Sequence, residues 1–247
     1  MAETARTILI LGGTGGIGSA LARRLHGEGC RLLLAARDPD RLAGLAAELG
    51  ADTLALDATD ASAVDAAVNR AVERHGRLDG AANCVGSILL KPAHLTTPEE
   101  FSRTLALNLT TAFNLVRSAA KAMVRQGSGS IALVSSVAAQ RGLVSHEAIA
   151  AAKAGVEALA RSAAASYARQ GVRVNCVAPG LVRTPLSAGL TANEAALKAS
   201  TALHPLGRIG EPEEVAAALA WLLHPAQGWI TGQVLGVDGG MARVQAR

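Results

Sequence analysis

The chain has 247 residues, half of them hydrophobic, with 26 glycines and a formal charge of +4. Aromatic residues make up 2 % of it, too few for the stacking platform that single-stranded nucleic acid requires, and the positive charge is spread out rather than gathered. No run reaches the roughly 18 apolar residues of a membrane span, and the short polar stretch before Thr7 leaves no room for a signal peptide. The expectation is a cytoplasmic protein acting on a small molecule, with neither a nucleic-acid nor a membrane partner. Cys30, Cys84 and Cys176 are odd in number and lack metal-like spacing, so they read as reduced core thiols and no metal is expected.

Thr7 to Leu11 is a short apolar run ending in glycines, the pattern of a buried parallel strand. A glycine loop follows, containing Gly12, Thr14, Gly15, Gly16, Ile17 and Gly18, and then a helical pattern through Leu21 and Leu25. Glycines between a strand and a helix let a pyrophosphate approach bare backbone at the helix N-terminus, where N–H donors converge. The second strand, Arg31 to Ala36, closes on Arg37 and Asp38. An arginine there suits the 2′-phosphate of NADP, and an acidic residue suits the free ribose of NAD. Arg37 favours NADP(H). Asp38 leaves room for NAD(H), although with Pro39 behind it the residue also reads as a helix N-cap.

A third strand, Thr53 to Leu56, ends at Asp57, and Ser62 to Arg74 is helical. Leu78 to Val85 is the next strand and runs into Gly86. Thr97-Pro98-Glu99-Glu100 has the residues of a capped helix start, and that helix is predicted to continue to about Arg125 through Asn108. Ile131 to Ser135 is the fifth strand. A helix from about His146 to Arg169 carries many alanines, whose small side chains permit a subunit contact or close packing within one chain. Val172 to Val177 is the sixth strand, followed by Pro179-Gly180-Leu181-Val182-Arg183-Thr184. The stretch from about 184 to 208 reads as a mobile cover over a site. A helix from Glu211 to about Leu223 and a strand from Val234 to Val237 complete the chain. Strands alternate with helices throughout, which predicts an α/β doubly wound parallel seven-stranded sheet (Rossmann) in one domain spanning 1–247. Ligands are expected at the C-terminal strand ends.

One stretch carries the chemistry. Ser135 and Ser136 close the fifth strand, and Lys153 lies on the next helix with Ile149 four residues and His146 seven residues before it. At 100° per residue both steps return to one helix face, so His146, Ile149 and Lys153 form a stripe for the serine pair to look onto.

Taken in order, these motifs resemble the short-chain dehydrogenase/reductase family over nearly the whole chain. Gly12, Gly16 and Gly18 match its glycine loop, although Leu11 stands where a threonine is common. Asp57 matches the aspartate that bonds the adenine ring. Asn83-Cys84-Val85-Gly86 resembles its N-N-A-G turn with Cys84 in place of the second asparagine. The resemblance implies that Asn108 belongs to a proton relay and that Ser136 is the catalytic serine. It further implies that Lys153 grips the nicotinamide ribose and that Pro179, Gly180, Val182 and Thr184 hold the carboxamide. Ile230-Thr231-Gly232-Gln233 and Val237-Asp238-Gly239-Gly240 resemble the end of ketoacyl-reductase-like members, which implies a homotetramer or dimer.

There is one departure. The family's tyrosine stands four residues before the lysine, and here that residue is Ile149. The only tyrosine, Tyr167, lies fourteen residues beyond Lys153 and is too far along the helix to substitute. An aliphatic side chain cannot donate a proton, and loss of a general acid typically costs ~10²- to 10⁴-fold in rate. Three readings follow. In the first, His146 is the surrogate acid of a carbonyl reductase, since imidazole exchanges protons near neutrality. Glu147 and His94 rank below it. In the second, the His146-to-Lys153 spacing matches that of the superfamily's enoyl reductases, which implies reduction of a C=C bond. In the third, the chain binds a dinucleotide without catalysis, as an inactive subunit or a sensor.

Overall fold

In the computed structural model of the chain, residues 5–245 are described. Apolar runs become strands here because both of their faces are covered. The first strand, β1 (Thr7–Leu11), is buried at all five positions. Its side chains alternate across the sheet. Leu9 and Leu11 enter one core, and Ile8 and Ile10 enter the other. Each such side chain stabilises the fold by roughly 1.5–3 kcal/mol.

The remaining strands are β2 (Arg31–Ala36), β3 (Asp52–Ala55), β4 (Gly80–Asn83), β5 (Gly129–Val134), β6 (Val172–Pro179) and β7 (Val234–Val237). They pair in parallel in the order β3-β2-β1-β4-β5-β6-β7. Helices α1 (Gly16–Gly27), α2 (Pro39–Leu49) and α9 (Pro212–Leu223) pack on one face. Helices α3 (Ala61–His75), α5 (Thr111–Gln126) and α6 (Glu147–Tyr167) pack on the other. The fold is the doubly wound parallel sheet read from the sequence. The chain moves outward from β1 to β3, then returns to lay β4 beside β1. That reversal opens a crevice at the C-terminal ends of β1 and β4, where such sheets bind ligands.

Three elements differ from their sequence expectation. The helix predicted to run unbroken to Arg125 is divided into α4 (Pro98–Leu105) and α5 by a π turn at Ala106–Thr110. Asn108 lies in that turn, and its Nδ2 takes the Thr104 carbonyl at 3.0 Å, a group that helix backbone would otherwise claim. The start of α4 is as read: Thr97 Oγ1 accepts from the Glu100 N–H, and Glu100 Oε2 accepts from the Thr97 N–H. Helix α6 begins at Glu147, with His146 as its N-cap residue rather than a member of its stripe. The stretch from about 184 to 208, expected as a mobile cover, holds short helices. After a 3₁₀ turn at Pro185–Ser187 it forms α7 (Ala188–Thr191) and α8 (Glu194–Leu203).

Candidate active site and nucleotide cleft

The glycine loop is shaped by close backbone contacts. Gly12 has φ +75°, and a Cβ on it would lie 2.9 Å from the Cys84 carbonyl carbon at the end of β4. A Cβ on Gly18 would meet the Gly12 carbonyl oxygen at 2.1 Å, so only glycine lets the helix start tuck under the loop. A Cβ on Gly16 would strike the Thr184 methyl at 2.8 Å, which places the loop after β6 directly over the glycine loop. The loop at the start of α1 fits a dinucleotide: its glycines let backbone pack more closely at a helix N-terminus than any side chain would allow.

Just past β3, Asp57 Oδ1 accepts from both the N–H and the hydroxyl of Thr59 at 2.8 Å. Those two bonds, the backbone one foremost, hold the carboxyl below its ordinary range, with a smaller contribution from the nearby Arg37 guanidinium. Arg37 is exposed at the end of β2. Asp38 is engaged by its own helix, its Oδ1 accepting from the Asp40 and Arg41 N–H groups at 3.1 Å. Arg41, which sequence reasoning passed over, reaches back so that its Nη2 donates to the Thr14 carbonyl at 2.7 Å. One guanidinium, that of Arg41, therefore stands at the edge of the glycine loop, and that of Arg37 lies near Asp57.

Asn83 is occupied in shaping the turn after β4. Its Nδ2 donates to Thr111 Oγ1 at 3.1 Å and its Oδ1 accepts from the Val85 N–H at 3.1 Å. Asn108 clamps the same turn, donating to Ser87 Oγ at 2.9 Å and accepting from the Ser87 N–H at 3.2 Å. A Cβ on Gly86 would lie 2.9 Å from Asn108 Oδ1 and 3.6 Å from Lys153 Nζ, so Gly86 is the gap between those two groups. Lys153 is buried, and its Nζ donates to the Val134 carbonyl at 2.8 Å. Burial pulls its pKa down to about 8 from an ordinary 10.5. Cys84 and Cys176 flank it as neutral thiols, each pushed up to about 12 by burial.

The serine pair divides. Ser135 is buried and faces away from the cleft, donating to Glu157 Oε1 at 2.9 Å. Gln140 Nε2 reaches the same oxygen at 3.0 Å, so Glu157 ties the end of β5 to the turn that follows. Ser136 faces the cleft. Its Oγ accepts from the Ala138 N–H at 3.2 Å and keeps its own proton available to a ligand.

A cavity of about 460 Å³ joins Ser136, His146 and Ile149, with an otherwise largely apolar wall that includes Ile88, Leu90, Leu143, Leu181, Leu190 and Leu203. Larger hollows elsewhere on the surface contain none of these residues. Ser145 precedes His146 with φ +62°, a left-handed conformation uncommon outside glycine, and its carbonyl accepts from the Lys91 N–H at 2.8 Å. His146 Nδ1 lies 2.7 Å from the Val144 carbonyl. A carbonyl only accepts, so Nδ1 carries a proton and Nε2 is the nitrogen left for other partners. Glu147 and His94 are exposed and absent from the cavity wall. Tyr167 packs against the core at the far end of α6, about 21 Å of helix beyond Lys153.

His204, at the end of α8, gave no signal in the sequence. It is buried, with Nδ1 donating to the Ser200 carbonyl at 2.7 Å and Nε2 accepting from the Leu181 N–H at 3.1 Å. A Cβ on Gly180 would lie 2.4 Å from that Nε2. The imidazole therefore fastens the end of α8 to the loop that follows β6. Among the described residues, no group of three or more His, Cys, Asp or Glu is placed to hold a metal, and no helix is long and apolar enough to cross a membrane.

The sheet order and glycine cradle define a dinucleotide-binding protein of the Rossmann class. The sequence model described as Enoyl-(Acyl carrier protein) reductase matches residues 12–242. Cis-4-hydroxycyclohexanecarboxylate dehydrogenase of Sinomonas cyclohexanicum is 38% identical over 244 residues, covering 97% of each chain. Levodione reductase of Leifsonia aquatica is 35% identical over 253 residues, covering 97% of this chain and 95% of its own. A short-chain type dehydrogenase/reductase from Mycobacterium ulcerans superposes with a TM-score of 0.94 at 34% identity, covering 100% of this chain and 93% of its own. A variant actinorhodin polyketide ketoreductase solved with NADPH gives 0.92 at 31% identity, covering 99% of this chain and 100% of its own. The chain belongs to the short-chain dehydrogenase/reductase family, which binds nicotinamide cofactors, and the relatives named above are oxidoreductases.

Proposed function

We propose that the protein is an NADP(H)-dependent carbonyl reductase with an atypical active site, acting on a cyclic ketone, in which His146 replaces the missing tyrosine. The observation that carries this reading is the single apolar cavity shared by Ser136, His146 and Ile149. Bound NADPH would supply a hydride to the carbonyl carbon. Ser136 donates a hydrogen bond that orients the carbonyl oxygen. The imidazolium of His146 transfers its Nε2 proton to that oxygen, which leaves the neutral tautomer with hydrogen on Nδ1. That tautomer is the one the Val144 carbonyl already favours. Lys153 grips the nicotinamide ribose, and Asn108 and Asn83 act by holding the turn at Gly86. Gly12, Thr14, Gly15, Gly16, Ile17, Gly18, Pro179, Gly180, Val182 and Thr184 frame the nucleotide cleft.

NADP(H) is favoured over NAD(H) because Arg41 bonds the glycine loop at Thr14 and Arg37 stands exposed at the end of β2 near Asp57, while the Asp38 carboxylate is turned to its own helix. Cyclic ketones are favoured by the apolar wall and by relatives named for levodione and for a hydroxycyclohexanecarboxylate. A homo-oligomer is favoured by exposed large apolar side chains: Leu235 on the edge strand β7, Trp229 shortly before it, and Trp221 on α9. Reduction of a C=C bond is the second reading, supported by the His146-to-Lys153 spacing and by the description of the matching sequence model.

NADPH oxidation with cyclic ketones, cyclic diones and enoyl thioesters, in the wild type and in His146→Ala, separates these readings. Ketone turnover that His146→Ala abolishes supports the proposal. Turnover of enoyl thioesters alone favours the second reading. Nucleotide binding with no turnover of any of them indicates a non-catalytic binding protein.

A further inference from the structure

The cavity at Ser136 and His146 has one feature that a neutral ketone does not use. Arg141 lies on its wall, directly after the turn that Ser136 caps. Its Nη1 donates to the Met241 carbonyl, and Met241 lines the same cavity. That bond anchors the guanidinium at the wall and occupies one of its five N–H donors. No carboxylate balances it. Among the residues lining the cavity there is no Asp or Glu. The acidic groups of the surrounding elements are engaged elsewhere or turned away. Asp238 accepts from the Gly240 and Ala242 N–H groups, Glu157 accepts from Ser135 and Gln140, and Glu147 is exposed outside the cavity. None of the ion pairs among the described residues includes Arg141. The other titratable groups on the wall, His146 and His204, are never anionic.

An apolar cavity with one anchored, unbalanced guanidinium selects for an anion. We infer that the substrate is a keto acid, an apolar ring or short chain with a carboxylate held by Arg141 while the ketone faces Ser136 and His146. This rests on the carbonyl-reductase reading for the ketone, but not for the carboxylate. Arg141 is thereby a specificity-determining residue, and the planar fork of its remaining donors suits a bidentate carboxylate.

The test compares 4-oxocyclohexanecarboxylate with its methyl ester as substrates of the wild type, Arg141→Leu and Arg141→Lys. A charge-assisted hydrogen bond of this kind predicts a preference for the acid of roughly 10- to 100-fold in kcat/KM, expressed mainly in KM. Arg141→Leu collapses that preference to near unity, and Arg141→Lys restores part of it. Binding is read apart from turnover by titrating cyclohexanecarboxylate and cyclohexanecarboxamide into NADPH-loaded protein. If neither ketone is reduced but the carboxylate still binds in an Arg141-dependent way, the carbonyl-reductase reading fails and the anion site stands. Equal binding of carboxylate and carboxamide, or an acid preference that Arg141→Leu leaves intact, overturns the inference.

Discussion

Lys153 offers a test that needs no substrate. Its ammonium is buried, with the Val134 carbonyl as its hydrogen-bond partner, and its pKa stands at about 8 against an ordinary 10.5. Below pH 8 folded and unfolded chains both hold the proton, so the whole desolvation penalty is present. It amounts to about 3 kcal/mol at 1.36 kcal/mol per pKa unit. Between pH 8 and 10.5 the unfolded chain keeps a proton that the folded chain has shed. Unfolding free energy from this group therefore rises with pH, by about 1.4 kcal/mol per unit, and levels off above that window. Lys153→Met removes the charge and the hydrogen bond, which is worth roughly 1.5–3 kcal/mol. The nucleotide-free variant is thus at least as stable as wild type at pH 7, while its affinity for NADPH falls. Urea unfolding of both proteins at intervals from pH 7 to 10 measures the difference, and other titrating groups cancel. The unfolding free energy of wild type minus that of Lys153→Met should climb across the window. A difference that stays flat with pH would refute the buried, destabilised ammonium.

Arg37→Ala and Arg41→Ala should each weaken NADPH by roughly tenfold or more with little change for NADH, read by calorimetry; equal losses for both nucleotides would remove the 2′-phosphate role. Ile149→Tyr returns a phenol to the cavity wall beside Lys153 and should raise ketone reduction. A folded, NADPH-binding variant with no gain would show that the wall does not have ketoreductase geometry. His204→Ala leaves the Leu181 N–H and the Ser200 carbonyl without their side-chain partner, at a cost of roughly 1–3 kcal/mol in thermal or urea unfolding. It should also raise KM for the carbonyl substrate, since α8 loses its tie to the loop after β6; an unchanged KM would place His204 in the scaffold alone.

The elements set by local pattern were readable from the sequence. Strands β1, β2 and β7 lie at their expected bounds because each is a short apolar run between turn residues. Thr97 and Glu100 announced the start of α4, and Asp38 with Pro39 announced that of α2. The site was legible where a residue type at a fixed spacing carries the chemistry, as with the glycine loop. It was not legible where distant segments meet. Arg41 reaches Thr14 across 27 positions, and Ser135 meets Glu157 across 22. Ser135 and Ser136 lie just past β5, where backbone that is still extended turns successive side chains to opposite sides. The π turn at Asn108 and the left-handed Ser145 have no sequence mark, because each depends on a tertiary contact, with Ser87 and Lys91 respectively. That backbone reversal is why His146 caps α6 instead of joining the stripe drawn through Ile149 and Lys153.

The pH profile of kcat/KM for a reduced ketone, in wild type and in His146→Ala, bears most directly on a histidine serving as proton donor. An imidazolium acid predicts that wild-type activity falls as pH rises and the ring loses its Nε2 proton. It also predicts that His146→Ala is slower by ~10²- to 10⁴-fold at the plateau and has lost that limb. A variant that keeps the wild-type rate and the same falling limb would contradict His146 as the donor.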